Sequence, residues 1–178
     1  MKVIRTAIMF SALLLTAGCA SRNSLYLTQQ LRDRISTYNI SPEQVQYYND
    51  RKFILQRNVT RDEARVMGGK VKFVNGQYVE RVVIRKMTPG VCEEYGPDFM
   101  NISFESGDNR WLRFAVNYRG RYQISALEWR KGYGKVEYDT TFFYIMPGGD
   151  RTYLKVKKQD VFIMKKDERI APGRTVVN

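Results

Sequence analysis

Residues 70–86, KVKFVNGQYVERVVIRK, place two runs rich in valine, isoleucine and aromatic side chains on either side of Asn75-Gly76. Asn-Gly tolerates positive φ at both central positions of a two-residue turn, so the stretch predicts an antiparallel hairpin. The same texture holds from Phe53 onward. FMNISFE, RWLRFAVN, RYQISALEWR, KVEYDTTFFYIM and RTYLKVKK follow one another, divided by turn signals at MTPG (87–90), SGDN (106–109), YRGR (118–121), KGYG (131–134) and PGGD (147–150). This pattern predicts about eight or nine strands joined mostly as hairpins. The fold class is mainly β: an antiparallel sandwich or a partly open barrel, preceded by two short N-terminal helices.

Side-chain alternation assigns the faces of these strands. In RWLRFAVN, Leu112, Phe114 and Val116 share one side and Trp111, Arg113 and Ala115 the other. In TYLKVKK, Leu154 and Val156 point inward while Lys155 and Lys157 point to solvent, because an unpartnered inward lysine would cost several kcal/mol. The two helices are read from the segment before the strands. Leu27, Leu31 and Ile35 recur every fourth residue in LYLTQQLRDRISTY, which predicts an amphipathic helix that docks on its own domain. Ser41-Pro42-Glu43-Gln44 supplies a cap, a first-turn proline and a capping-box glutamine, predicting a second helix through Tyr48.

The amino end has another texture. Lys2 and Arg5 precede an apolar stretch, Ala7–Leu15, followed by the small residues Thr16, Ala17 and Gly18 and then Cys19. That is the layout of a secretory signal, too short for a spanning helix of about 20 apolar residues. With its cysteine, the stretch resembles the lipobox of bacterial lipoproteins. The resemblance covers residues 1–20 only. It implies a cleaved signal peptide over 1–18, covalent lipid on Cys19 as the first residue of the mature chain, and a group of two or three acyl chains. Ala20-Ser21 after the cysteine further implies sorting to the outer membrane, with the body facing the periplasm. Beyond the signal, the expected organisation is a lipidated tether with short helices over 19–50, an antiparallel β domain over 51–164 and a basic tail over 165–178. Cleavage lowers the net charge from +12 by the two units of Lys2 and Arg5, to about +10.

The chain contains no histidine, which removes the commonest general base and metal ligand. Zinc sites, Ser-His-Asp triads and Cys-His pairs are excluded by composition, and no phosphate-binding glycine loop is present. No metal and no cofactor besides the covalent lipid is expected. With Cys19 lipidated, Cys92 has no internal disulfide partner and is expected to be buried as a small apolar residue. CEEYGPD holds the densest carboxylates, Glu93, Glu94 and Asp98, and is the one stretch to inspect for acid and base catalysis of glycan hydrolysis. Because neighbouring strand residues face opposite ways, a pair there requires one of the glutamates with Asp98.

The positive feature is charge. Lys155, Lys157, Lys158, Lys165, Lys166 and Arg169 make the carboxyl-terminal third basic. Trp129 and Tyr133 flank Arg130 and Lys131 at a turn, where an exposed ring can stack on a sugar or a partner loop. The expected role is a membrane-anchored binding or assembly module working through a basic surface; the alternative is an envelope glycan hydrolase. Its expected partners are membrane lipid through the anchor and an envelope protein or anionic glycan. Nucleic acid is argued against by the export signal.

Overall fold

The computed structural model describes residues 23–68 and 71–163. These residues form two antiparallel sheets, of seven and six strands, that pack as a sandwich and are not closed into a barrel. Strands are numbered along the chain. The first sheet contains β1 (Ser24–Tyr26), β2 (Tyr47–Asn49), β6 (Pro89–Tyr95), β7 (Phe99–Ser103), β8 (Trp111–Val116), β9 (Tyr122–Ile124) and β13 (Leu154–Lys157), in the order β1-β13-β2-β6-β7-β8-β9. The second contains β3 (Phe53–Val59), β4 (Val71–Val74), β5 (Gln77–Ile84), β10 (Glu128–Arg130), β11 (Tyr133–Tyr138) and β12 (Thr141–Ile145), in the order β10-β11-β12-β3-β5-β4. Isolated bridges Thr28–Arg121 and Gln123–Tyr153 tie the β9 edge back toward β1 and β13 without forming a strand ladder.

The 70–86 stretch folds as its sequence dictates. Val74 pairs with Gln77 across the turn, and Asn75 and Gly76 take φ of 49° and 78°. Alternation also holds. Leu112 and Phe114 are buried, as are Leu154 and Val156, and they join Leu55, Ile102, Phe143 and Ile145 in one core between the sheets. Burial of each such side chain contributes about 1.5–3 kcal/mol, which makes this layer the main source of stability.

The first expected helix is present but shorter. Helix α1 (Gln29–Ser36) starts at Thr28, whose Oγ1 accepts the Leu31 N–H at 3.1 Å, and it buries Ile35 and packs Leu31 against the domain. Leu25 and Tyr26, expected in that helix, lie in or beside β1, because Ser24–Tyr26 finds a ladder partner in β13. The second expected helix is only one 3-10 turn, Pro42–Gln44. Its capping box forms, but Tyr47 and Tyr48 are taken by strand pairing with β6 and β13, and Val45 turns the chain extended. The segment 24–49, read as tether and helices, thus contributes two strands to the first sheet.

Two further helices were not expected. Helix α2 (Arg61–Val66) is capped by Thr60, which accepts the Glu63 N–H at 3.2 Å while the Glu63 carboxylate accepts the Thr60 N–H at 2.7 Å. Helix α3 (Lys158–Ile163) follows β13 directly, so the strand ends at Lys157 and not beyond it. Among the described residues no helix is long and apolar enough to cross a membrane.

Candidate functional site

Asn49 organises the region where the body concentrates exposed cations. Its side chain is fully buried: Nδ2 donates to the carbonyls of Arg51 and Arg85 at 2.6 and 2.7 Å, and Oδ1 accepts the Thr88 N–H at 2.9 Å. One amide thereby fixes both the β2–β3 turn and the β5–β6 turn. These turns carry Arg51 and Lys52 on one side and Arg85 and Lys86 on the other. Lys52, Val83, Arg85 and Thr88 line a shallow depression with no carboxylate in its wall.

Strand β13 adds Lys155 and Lys157 beside these turns. Their inner neighbours Leu154 and Val156 are fully buried, and the ammonium groups lie on tyrosine rings: Lys155 is 4.9 Å from the centre of Tyr26 and Lys157 is 4.7 Å from that of Tyr48. Arg121 also covers Tyr26, at 4.6 Å, and Tyr26 meets Tyr153 edge-on. Each cation-ring contact contributes about 0.5–1 kcal/mol at such exposure, a modest bias that favours the lysine heads against the sheet. Burial lowers the Lys155 pKa; Asp50 opposes this and the neighbouring Lys86 charge reinforces it. Lys157 is shifted up by the Tyr48 hydroxyl beside it. Asp50, the acidic residue beside Lys155, is engaged by Arg51 at 3.3 Å and by the Tyr153 N–H at 2.9 Å, while Asp160 faces Lys157.

Sequence reasoning found Lys155, Lys157 and Lys158 but missed Lys52, Arg85, Lys86 and Arg121. Only the sheet order brings those four to the same region, and nothing local in the sequence signals it. Lys165, Lys166, Arg169 and Cys19 lie outside the described residues. Trp129 and Tyr133 do not form one platform. Their register, Trp129 with Gly134 and Tyr133 with Arg130, sends them to opposite faces of the β10–β11 hairpin. Trp129 covers Gly134 so closely that a Cβ there would sit 2.6 Å from the ring, which assigns it a packing role. Tyr133 joins Phe142 and Tyr144 on the outer face of the second sheet.

The candidate carboxylates are also apart. A β-bulge between Cys92 and Glu94 shifts the register here. Glu93 lines a depression with Gln46 and Ser103, whereas Glu94 lines a different one with Trp111, Arg113 and Glu137, its carboxylate accepting from Asn101 Nδ2 at 2.6 Å. Asp98 is exposed and lines neither. Neither of these depressions brings Asp98 together with a glutamate. Among the described residues no three His, Cys, Asp or Glu side chains gather as a metal site.

Cys92 is buried, and its Sγ donates to the Glu94 carbonyl at 3.3 Å. Burial, reinforced by the charge of Glu43, pushes its thiol up to about 12 from 9.0. The sign follows from proton uptake: between those values the folded protein holds a proton that the unfolded chain has lost, so stability falls as pH rises. The expected loss is up to about 1.4 kcal/mol per pH unit between about 9 and 12. Tyr47 and Tyr138, both raised first by burial, add to it above about 10. Denaturant unfolding at pH 8 and 10.5 checks this, and Cys92→Ala should flatten the slope; equal stability at both pH values contradicts it.

Compared with protein-family models, curated proteins and solved structures, the chain matches none of them.

Proposed function

We propose that this chain is a cell-envelope lipoprotein, anchored in the outer membrane through lipid on Cys19 with its body facing the periplasm, and that it binds or assembles with an anionic partner through its basic surface. One observation carries the reading. Lys52, Arg85, Lys86 and Lys155 stand on turns and a strand held by the buried Asn49, and the nearby Asp50 is already engaged. The tether adds to it. Only residues 20–23 lie between Cys19 and β1, and the step from Cys19 to Ser24 spans at most about 17 Å of extended chain, so a lipidated cysteine keeps the β1–β13 edge close to the bilayer. The partner chemistry is an acidic envelope protein or an anionic glycan, both of which meet the cations at short range in the same compartment.

The test is capture from solubilised envelopes on the full mature chain. A partner should be retained at low salt and lost as salt rises, since the Debye length shrinks from about 10 Å at 0.1 M to about 3 Å at 1 M. Reversing Lys155, Lys157 and Lys158 to Glu, or separately Lys52 and Arg85 to Glu, should lower retention at least about tenfold, each basic residue contributing about 1 kcal/mol against an anionic surface. Recovery of nothing, or capture indifferent to salt and to both variants, overturns the reading.

A further inference from the structure

Arg32 is held differently from the cations of the basic surface. Its Nη1 donates to Tyr122 Oη at 2.6 Å and to the Pro97 carbonyl at 3.4 Å, and its guanidinium lies 5.2 Å from the Tyr95 ring centre and 5.8 Å from that of Tyr122. Tyr122 Oη in turn donates to Gln29 Oε1 at 2.6 Å, so neutral oxygens alone position this half-buried cation. Among the described residues no carboxylate lies within ion-pair distance of it. A cation fixed by neutral groups and two rings is pre-organised, and among the described residues only its Nη1 is engaged in hydrogen bonds.

The guanidinium borders a groove of about 390 Å³ between α1 and the 3-10 turn. Leu27, Ile35, Ile40 and Tyr47 supply apolar wall, and Tyr95 closes one side. The polar Asp33, Ser36, Asn39 and Ser41 complete the lining, and a concave wall of apolar floor and polar rim with one oriented cation is the make-up of a small-molecule site. Asp33 stands on the rim, its Oδ1 taken by Gln29 Nε2 at 2.9 Å. Its negative charge disfavours a dianionic phosphate and leaves room for a single carboxylate, whose planar geometry suits the arginine fork.

We propose that this groove binds the carboxylate of a small apolar acid, the head on Arg32 and the apolar body along Leu27, Ile35, Ile40 and Tyr47. Two sources share this chemistry, the free carboxyl end of an apolar peptide and a short fatty acid. The site is independent of the basic surface, because none of Lys52, Arg85, Lys86 or Lys155 lines it.

Calorimetric titration of the full mature chain in nanodiscs, with empty nanodiscs subtracted, distinguishes them. The probes are N-acetyl-Leu-Leu as acid and as amide, and hexanoate against hexanol. At least one acid should bind saturably and about tenfold or more tighter than its neutral counterpart, the scale of one charge-assisted contact. Which acid binds tighter identifies the source. Arg32→Gln should remove the preference for the acid, and Tyr95→Leu, which removes the half-exposed ring that lies against Arg32 and closes the groove, should weaken binding several-fold. If Arg32→Gln fails to fold, the acid and neutral probes on the unmodified chain together with Tyr95→Leu still decide. No saturable acid binding, or equal binding of acid and neutral probe, overturns the proposal.

Discussion

Replacing Asn49 with alanine should cost about 3 kcal/mol or more of folding stability, the largest loss expected from any polar side chain in the body. The amide makes three hydrogen bonds to backbone, and its removal strands the Arg51 and Arg85 carbonyls and the Thr88 N–H. Each buried group left unsatisfied costs about 1–3 kcal/mol, and water reaches the two turns enough to keep the total toward the lower end. At about 2–4 °C per kcal/mol for a domain of this size, the melting temperature should fall by about 10 °C. Asn49→Asp should also destabilise, since it keeps one acceptor, loses both donors and buries a charge. Because the amide holds the Lys52 and Arg85 turns, both variants should weaken partner capture even below their melting temperature. Thermal unfolding followed by circular dichroism measures the first effect; a loss under 1 kcal/mol contradicts this account of Asn49.

Changing Cys19 to serine should release the protein from the membrane. The proposed anchor would carry two or three acyl chains, and each buried methylene contributes about 0.8 kcal/mol, so two chains would exceed any surface attraction by a wide margin. The basic surface alone provides about 1 kcal/mol per cation, and salt screens it. Fractionation with a high-salt wash separates the two contributions. The unaltered chain should stay with the membrane through the wash, while the serine variant should appear in the soluble fraction. Retention of the variant after high salt would assign membrane binding to something other than the lipid.

How legible all this was in the sequence depended on the range of the interactions involved. Asn75-Gly76 and the alternation of Leu112 with Phe114 are local signals, and strands formed where they stood. The region 41–48 shows a local signal overridden: the Ser41–Gln44 capping box is made, yet Tyr47 and Tyr48 are worth more in β2, where they are buried between neighbouring strands. Helix α2 was readable, since Thr60 and Glu63 have capping-box spacing, but it is a single short element amid strand-forming residues. Sheet order was not readable at all. It pairs β13 with both β1 and β2, residues more than a hundred positions away, and that pairing is what brings Lys155 to the Lys86 turn. For the same reason the basic surface looked like a property of the carboxyl-terminal third, when Lys52, Arg85, Lys86 and Arg121 come from far earlier in the chain. The Arg32 groove went unseen because its wall combines α1, the 3-10 turn and Tyr95 of β6.

The proposed lipid anchor is what would set this surface beside a bilayer. Intact mass measurement of the chain extracted from cell membranes tests it most directly: the predicted species begins at Cys19 and carries the added mass of two or three acyl chains. A chain still bearing residues 1–18, or one beginning at an unmodified Cys19, would contradict it.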